Sequence, residues 1–178
     1  YKLLSFLIIF AALLAGCVVF FRVNQVVVTG NSRYTTEEII AASGVEIGDN
    51  LFLVNRPQTA QSITRRLPYV ESVAPVHRLP DTVEIHITEC VPAAVLPTEA
   101  EGWWLIDARG KLLEQGDSAI GRDLPVVLGL TPTTPSLGAA TTVEPEQQSR
   151  LEGLRGLLTA LSKRNMLDGL GEFIDVNA

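Results

Sequence analysis

Two histidines and a glutamate give this sequence its nearest approach to a metal site. If Leu79-Pro80-Asp81 is the turn between two strands and Arg78 pairs with Val83, His77 lies opposite Glu84 and diagonal to His86. Imidazole and carboxylate donors so placed could hold a divalent ion weakly. Zinc wants about four clustered ligands and a supporting shell; no fourth ligand is evident, so the expected reading is a solvated sheet face with no metal. Other chemistries fare no better. No glycine-rich phosphate loop precedes a helix, no Ser or Cys stands in a nucleophile elbow, and nothing places carboxylates such as Asp107 and Glu114 across a cleft. The expectation is a chain with no enzymatic activity and no cofactor. Trp103 and Trp104 are candidate recognition residues, since exposed aromatics mark binding surfaces, although adjacent aromatics on a strand usually send one ring into the core.

The two cysteines serve different arguments. Cys90 lies far along the soluble part. Cys17 closes Leu13-Leu14-Ala15-Gly16-Cys17, a string similar to a lipoprotein cleavage site, where the cysteine becomes a lipidated N-terminus. Two readings compete. Val18-Val19-Phe20-Phe21 carry the apolar run past the cysteine, where a lipoprotein would have a polar tether, and this favours an uncleaved anchor over a lipid-anchored binding protein. Leu3 to Phe21 holds no charge and as a helix rises roughly 28 Å, close to the ~30 Å of a bilayer's hydrocarbon. Lys2 and Arg22 flank it on either side, so the positive-inside rule is nearly silent. The two cysteines would stand at different heights and are not expected to pair.

The rest of the chain must fold. From Arg22 onward 13 basic residues face 20 acidic ones, a net of −7, which argues against a nucleic-acid surface and against adhesion of the soluble part to anionic lipid. Tyr1 in place of Met, and a close at Ala178 within a strand-like stretch, read as cut edges of a longer protein. Residues 22–90 read as β-α-α-β-β. Val23 to Thr29 is β-rich and stops at Gly30-Asn31. Thr35-Thr36-Glu37-Glu38 is a capping box for a helix burying Ile39 and Ile40 and stopping at Gly44. Pro57 opens a second helix carrying Ala60, Ile63 and Leu67. Val70 to Arg78 and Thr82 to Glu89 follow as strands. With Arg78 opposite Val83, Val83, Ile85 and Ile87 share the core face with Val76 and Ala74, and His77, Glu84, His86 and Thr88 take the other.

Residues 91–178 read as β-rich. Val91 to Val95 leads to Gly102–Asp107, the turn Asp107–Gly110 returns the chain along Lys111 to Glu114, and Leu124 to Leu128 is another short strand. Thr131 to Thr142 is a loop. A helix from about Pro145 lines up Leu151, Leu154, Leu157, Leu158 and Leu161, with Arg155, Lys163 and Arg164 wet. Phe173 to Asn177 begins a last strand.

Val26-x-Val28-x-Gly30-Asn31, Thr35-x-x-Glu38-Ile39, Gly44-x-x-x-Gly48-x-Asn50-Leu51-Phe52, Leu67-Pro68-Tyr69-Val70-Glu71-Ser72-Val73, Leu79-Pro80-Asp81-Thr82-Val83-x-Ile85 and Glu89-x-x-Pro92-x-Ala94, in that order, resemble the POTRA domain of the FtsQ/DivIB cell-division proteins. Cys90 departs from the family, which commonly has Arg there. The resemblance implies an α+β chain: a single transmembrane helix at 1–21, a βααββ POTRA-like domain at 22–90, and at 91–178 a β-rich second domain truncated at its C-terminal end. It implies a non-catalytic divisome scaffold of the cell membrane, its soluble part extracytoplasmic and gathered at the division septum, helping to regulate septal peptidoglycan synthesis. Its expected partners are FtsL and FtsB/DivIC, with the septal transpeptidase and its glycosyltransferase partner as further candidates, and no nucleic acid or small-molecule substrate. In the family the hairpin's second strand lies between the other two. Val70 to Arg78 is then an edge open to strand addition, usable from Val70 through Glu71, Ser72 and Val73 to Ala74 before Pro75 ends it, with Glu71 and Val73 facing away from the helices. A POTRA-bearing transport or outer-membrane assembly factor is the competing class; it predicts repeated units before a barrel.

Overall fold

Val26, Val27 and Val28 are β-branched and run straight into a glycine, and they build β1 (Gln25–Thr29), which ends at Gly30 with φ of 85°. In this computed structural model residues 2–98, 102–167 and 171–177 are described, without the side chains at 14, 15 and 17–19. The chain divides into two units, residues 1–89 and 90–178. The first opens with α1 (Lys2–Phe20), 19 residues long. Among the described residues no helix is long and apolar enough to cross a membrane; the side chain of Cys17, and with it the lipidation reading, lies outside them.

After β1 come α2 (Thr36–Ser43) and α3 (Arg56–Arg66). Thr35 caps α2 reciprocally: its hydroxyl accepts from the Glu38 N–H at 3.2 Å, and the Glu38 carboxylate accepts from the Thr35 N–H at 2.8 Å. Gly44 closes the helix at φ 70°. Asn55 caps α3, accepting from the Gln58 N–H, with Pro57 in the first turn. The strands β2 (Val70–Arg78) and β3 (Thr82–Glu89) complete a sheet of order β1-β3-β2. β1 pairs with β3 in parallel. A parallel pair needs a long crossover, and α2 and α3 supply it. Ile39, Ala42, Val45, Leu51 and Ile63 from the crossover pack with Val23, Val70, Val83, Ile85 and Ile87. Ile40 is only half-buried, and buried Thr59 faces inward beside Ile63.

The hairpin register differs from the sequence expectation by one residue. Arg78 pairs with Thr82, His77 with Val83, Pro75 with Ile85 and Val73 with Ile87. The core face of β2 therefore carries Val73, Pro75 and His77, while Ser72 and Ala74 are exposed. Ala74 and Val76 do not join the core face, and Val73 does not face away from the helices: it packs against the core. A register shift between Val70 and Ser72 lets Val70 be fully buried despite its even number. The turn causes the difference. It takes the expected residues, Leu79 to Asp81, but Arg78 then pairs with Thr82 directly across it rather than with Val83, and every β2 side chain changes face.

The second unit contains β4 (Pro92–Thr98), β5 (Gly102–Asp107), β6 (Leu112–Gly116) and β7 (Val126–Leu128), then a 3-10 turn at Pro145–Gln147 leading into α4 (Gln148–Ser162), and β8 (Phe173–Asp175). The sheet order is β6-β5-β4-β7-β8, with β7 parallel to both β4 and β8. α4 sets Leu151, Leu154 and Leu158 against Ala93, Leu96, Trp104, Ile106 and Leu112, whereas Leu157 is exposed. Trp104 is 3% exposed inside this core, so its ring is not a recognition surface; Trp103, on the other face of β5, is half-buried. Arg155 is not a wet residue either. Its guanidinium donates to the Thr141 carbonyl at 2.8 Å and lies over Gly110, while Thr159 donates to the Ala108 carbonyl at 3.2 Å, so α4 grips the β5–β6 connection.

Candidate functional site

The outer edge of β2 is the candidate, because the first sheet has a helix-covered face, an open face and two edges. β1 closes one side of β3, and β2 has β3 on one flank alone among the described strands. On the open face stand Ser72, Ala74 and Val76 of β2, Glu84, His86 and Thr88 of β3, and Val27 and Thr29 of β1, as the two registers place them. Pro75 has no N–H and fits a ladder where β3 needs no donor from it, so the backbone of Pro75, and of Val73 two residues earlier, faces the outer side.

A polar staple holds the start of this edge. The Glu89 carboxylate, at the end of β3, accepts from the backbone N–H groups of Ser32 (3.1 Å), Arg33 (2.9 Å) and Tyr34 (3.3 Å) and from the Ser32 hydroxyl (2.7 Å). The Arg33 guanidinium lies 3.7 Å over the Tyr69 ring, and the Tyr69 N–H donates to the Tyr34 hydroxyl at 3.2 Å. Burial is the largest single influence on Glu89 and opposes its charge, but the Ser32 hydroxyl and the three N–H groups together outweigh it and hold its pKa below the ordinary 4.5. A depressed carboxyl pKa gives stability that is present above 4.5 and is lost as pH falls through the folded value. Glu89→Gln is accordingly expected to lower stability at neutral pH and to flatten the acid limb of a urea-midpoint profile. Parallel profiles for the two proteins would show that the staple does not act through its charge. The motif string contained Glu89, but nothing in sequence spacing says that three consecutive N–H groups converge on it.

The other end of β2 carries Arg78, paired with Glu84, whose pKa is lowered chiefly by that hydrogen bond. His86 Nε2 lies 3.6 Å from Glu84, and its Nδ1 meets the Thr29 hydroxyl at 2.7 Å. His77 is absent from this group. With the register changed it faces the helices, where burial first, and then the Arg56 charge, lower its pKa against a hydrogen bond with the Val54 backbone. The expected His-Glu-His trio is therefore not assembled, and among the described residues no three His, Cys, Asp or Glu side chains cluster as a metal site. Asp107 does not pair with Glu114; its carboxylate accepts from the Arg109 and Lys111 N–H groups at 2.9 and 2.7 Å. Val70, Glu71, Ser72, Val73 and Ala74 lie along one strand of the first unit, and Trp103 belongs to the second.

Residues 21–89 match the family model described as POTRA domain, FtsQ-type. The cell division protein FtsQ of Corynebacterium glutamicum is 34% identical over 100 residues, which cover 56% of this chain and 44% of that protein. FtsQ of an Anaeromyxobacter strain is 31% identical over 109 residues, 61% of this chain and 36% of that protein. The cell division protein DivIB of Clostridium botulinum is 25% identical over 176 residues, 93% of this chain and 68% of that protein. The chain thus spans less than half the length of the two FtsQ proteins.

Proposed function

We propose, from the premise that residues 21–89 are an FtsQ-type POTRA domain in a chain related to the FtsQ and DivIB cell-division proteins, that this protein is a non-catalytic scaffold of the division machinery. α1 crosses the membrane once, and both folded units stand on the extracytoplasmic side. Residues 1–21 serve as anchor, 22–90 as the POTRA domain and 91–178 as part of a β-rich second domain. The chain gathers at the septum, holds FtsL and FtsB/DivIC, and through such contacts helps regulate septal peptidoglycan synthesis. The observation that carries the reading is the FtsQ-type domain standing directly behind an apolar helix, its sheet open at β2. The anchor is supported by the uncharged run Leu3–Phe21 and by the exposure of Leu3, Phe6, Leu7, Ile8 and Ile9, which have no protein cover.

The binding edge centres on Ser72, Val73 and Ala74, with Glu71 at its start; Val70, fully buried with its N–H donating to the Leu67 carbonyl, offers no donor to a partner. An extended segment of a partner adds there as a fourth strand, main-chain bonds giving affinity. Trp103 offers a second contact from the other unit. Two variants at one position test the edge. Val73→Ala loses packing on the core but keeps the N–H; Val73→Pro loses the N–H as well. With both variants folded, partner capture from solubilised membranes is expected to fall by roughly three- to tenfold for proline relative to alanine, the worth of one net hydrogen bond. Equal capture by the two variants would move recognition away from β2.

A further inference from the structure

Three backbone hydrogen bonds join the end of α1 to the connection between α2 and α3. The Val23 N–H donates to the Asp49 carbonyl at 2.8 Å and the Leu51 N–H to the Phe21 carbonyl at 2.9 Å, the two bonds that make Arg22 and Asn50 an antiparallel bridge, and the Gly48 N–H donates to the Val23 carbonyl at 2.7 Å. Leu51 is fully buried and pins the connection to the core, so its neighbours must turn outward. Ile47 is 66% exposed, Phe52 61% and Leu53 80%. The Phe52 ring stands edge-on to Phe21 with centroids 5.0 Å apart, and Phe21 stands edge-on to Phe20 at 5.2 Å. Ring contacts thus run from exposed Phe20 at the end of α1, through half-buried Phe21, to exposed Phe52 on this connection. The N–H groups around Phe52 are already bonded: the Phe52 N–H donates to the Asn50 side-chain carbonyl at 3.0 Å, and the Leu53 and Val54 N–H groups donate to the Asn50 backbone carbonyl at 2.9 and 3.2 Å. A backbone with its donors already bonded enters a water-poor layer at little cost.

We propose that Ile47, Phe52 and Leu53 dip into the lipid interface beside α1 and fix the attitude of the POTRA domain to the membrane. The inference rests on the reading of α1 as a membrane span. Its occupant is the bilayer rather than a protein groove, because exposed Phe52 is joined through Phe21 to exposed Phe20 at the end of α1. Glu46 and Asp49 are both exposed on the same connection. Two carboxylates gain nothing from anionic headgroups, so apolar burial drives the contact and anionic lipid does not strengthen it.

The test uses the full chain in phosphatidylcholine nanodiscs, with every phenylalanine replaced by its fluorinated analogue. The six residues are Phe6, Phe10, Phe20, Phe21, Phe52 and Phe173; Phe→Leu variants assign their signals. Nitroxides on shallow or deep lipid carbons, and a gadolinium chelate in the water, then report depth. Phe10 is expected to respond most to the deep nitroxide and Phe173 to gadolinium alone. Phe52 is expected to respond several-fold more to the shallow nitroxide than to the deep one, with strong protection from gadolinium and no change when anionic lipid is added. Phe52 behaving like Phe173 while Phe10 reports the bilayer centre would overturn the inference and leave the anchor standing. Phe52 protected from both gadolinium and the nitroxides would assign the patch to a second protein surface and overturn it equally. Phe10 behaving like Phe173 would overturn the anchor, and the inference with it.

Discussion

Gly30→Ala is expected to destabilise the first unit by roughly 2–5 kcal/mol, from a strained backbone and an overpacked contact acting together. Gly30 holds φ of 85°, and a Cβ built there would overlap the Ile87 carbonyl oxygen. That oxygen belongs to the central strand of the sheet and cannot move without disturbing both neighbours. Gly44 separates the two effects. It has φ of 70°, but no other group lies within 4 Å of the point where a Cβ would stand. Gly44→Ala is therefore expected to cost only about 1 kcal/mol, the left-handed backbone alone. Hydrogen exchange across β1 to β3 reads the change. Tryptophan fluorescence does not, because Trp103 and Trp104 both belong to the second unit, and it serves as the control that this unit is untouched. Equal costs at the two glycines would mean that β1 does not approach Ile87 as described.

Ile85→Ala carries the second large effect, about 2–5 kcal/mol for a large-to-small change in a packed core. Ile85 is fully buried at the centre of β3, with Val28 beside it on β1 and Pro75 on β2. The next residue reports the opposite face. His86 is exposed and gives up one hydrogen bond, with Thr29, so His86→Ala is expected to cost no more than about 1 kcal/mol. The same exchange measurement compares them. Similar losses at both positions would place β3 a residue out of register.

The contrast between β3 and β2 shows what the sequence could tell. Val83, Ile85 and Ile87 alternate with Glu84, His86 and Thr88, so the buried face of β3 was legible without coordinates. β2 has no such alternation. Val73 and Val76 lie on opposite faces, Val70 sits across a register shift, and a histidine occupies the inward position at 77. Its facing therefore hung on which residues pair across the turn, and a shift of one residue in that pairing decided it. Helix caps were legible because they are local: Thr35, Glu38 and Gly44 do what their types and spacing suggest. The Glu89 staple was not, because it joins positions 55 to 57 residues apart. The inward ring at Trp104 and the docking of Arg155 on Thr141 likewise depend on which elements meet. The edge position of β2 came from the family resemblance, and the sheet order agrees with it.

The close joining of α1 to the first sheet has a rotational consequence. Phe20 ends the helix, Val23 is already fully buried, and the Leu51 N–H clasps the Phe21 carbonyl between them. No swivel separates the helix from the domain. A helix advances about 100° and 1.5 Å per residue, so the compass bearing of the β2 edge around the helix axis is geared to the number of residues in α1. Adding one residue near its end would swing that edge by more than a quarter turn while lifting it hardly at all, whereas adding a full turn's worth would restore the bearing at a new height. On the proposed reading of α1 as a membrane span, the helix would work as a spindle as much as an anchor, and a neighbour in the same bilayer would meet the edge at one heading rather than across a cone of headings.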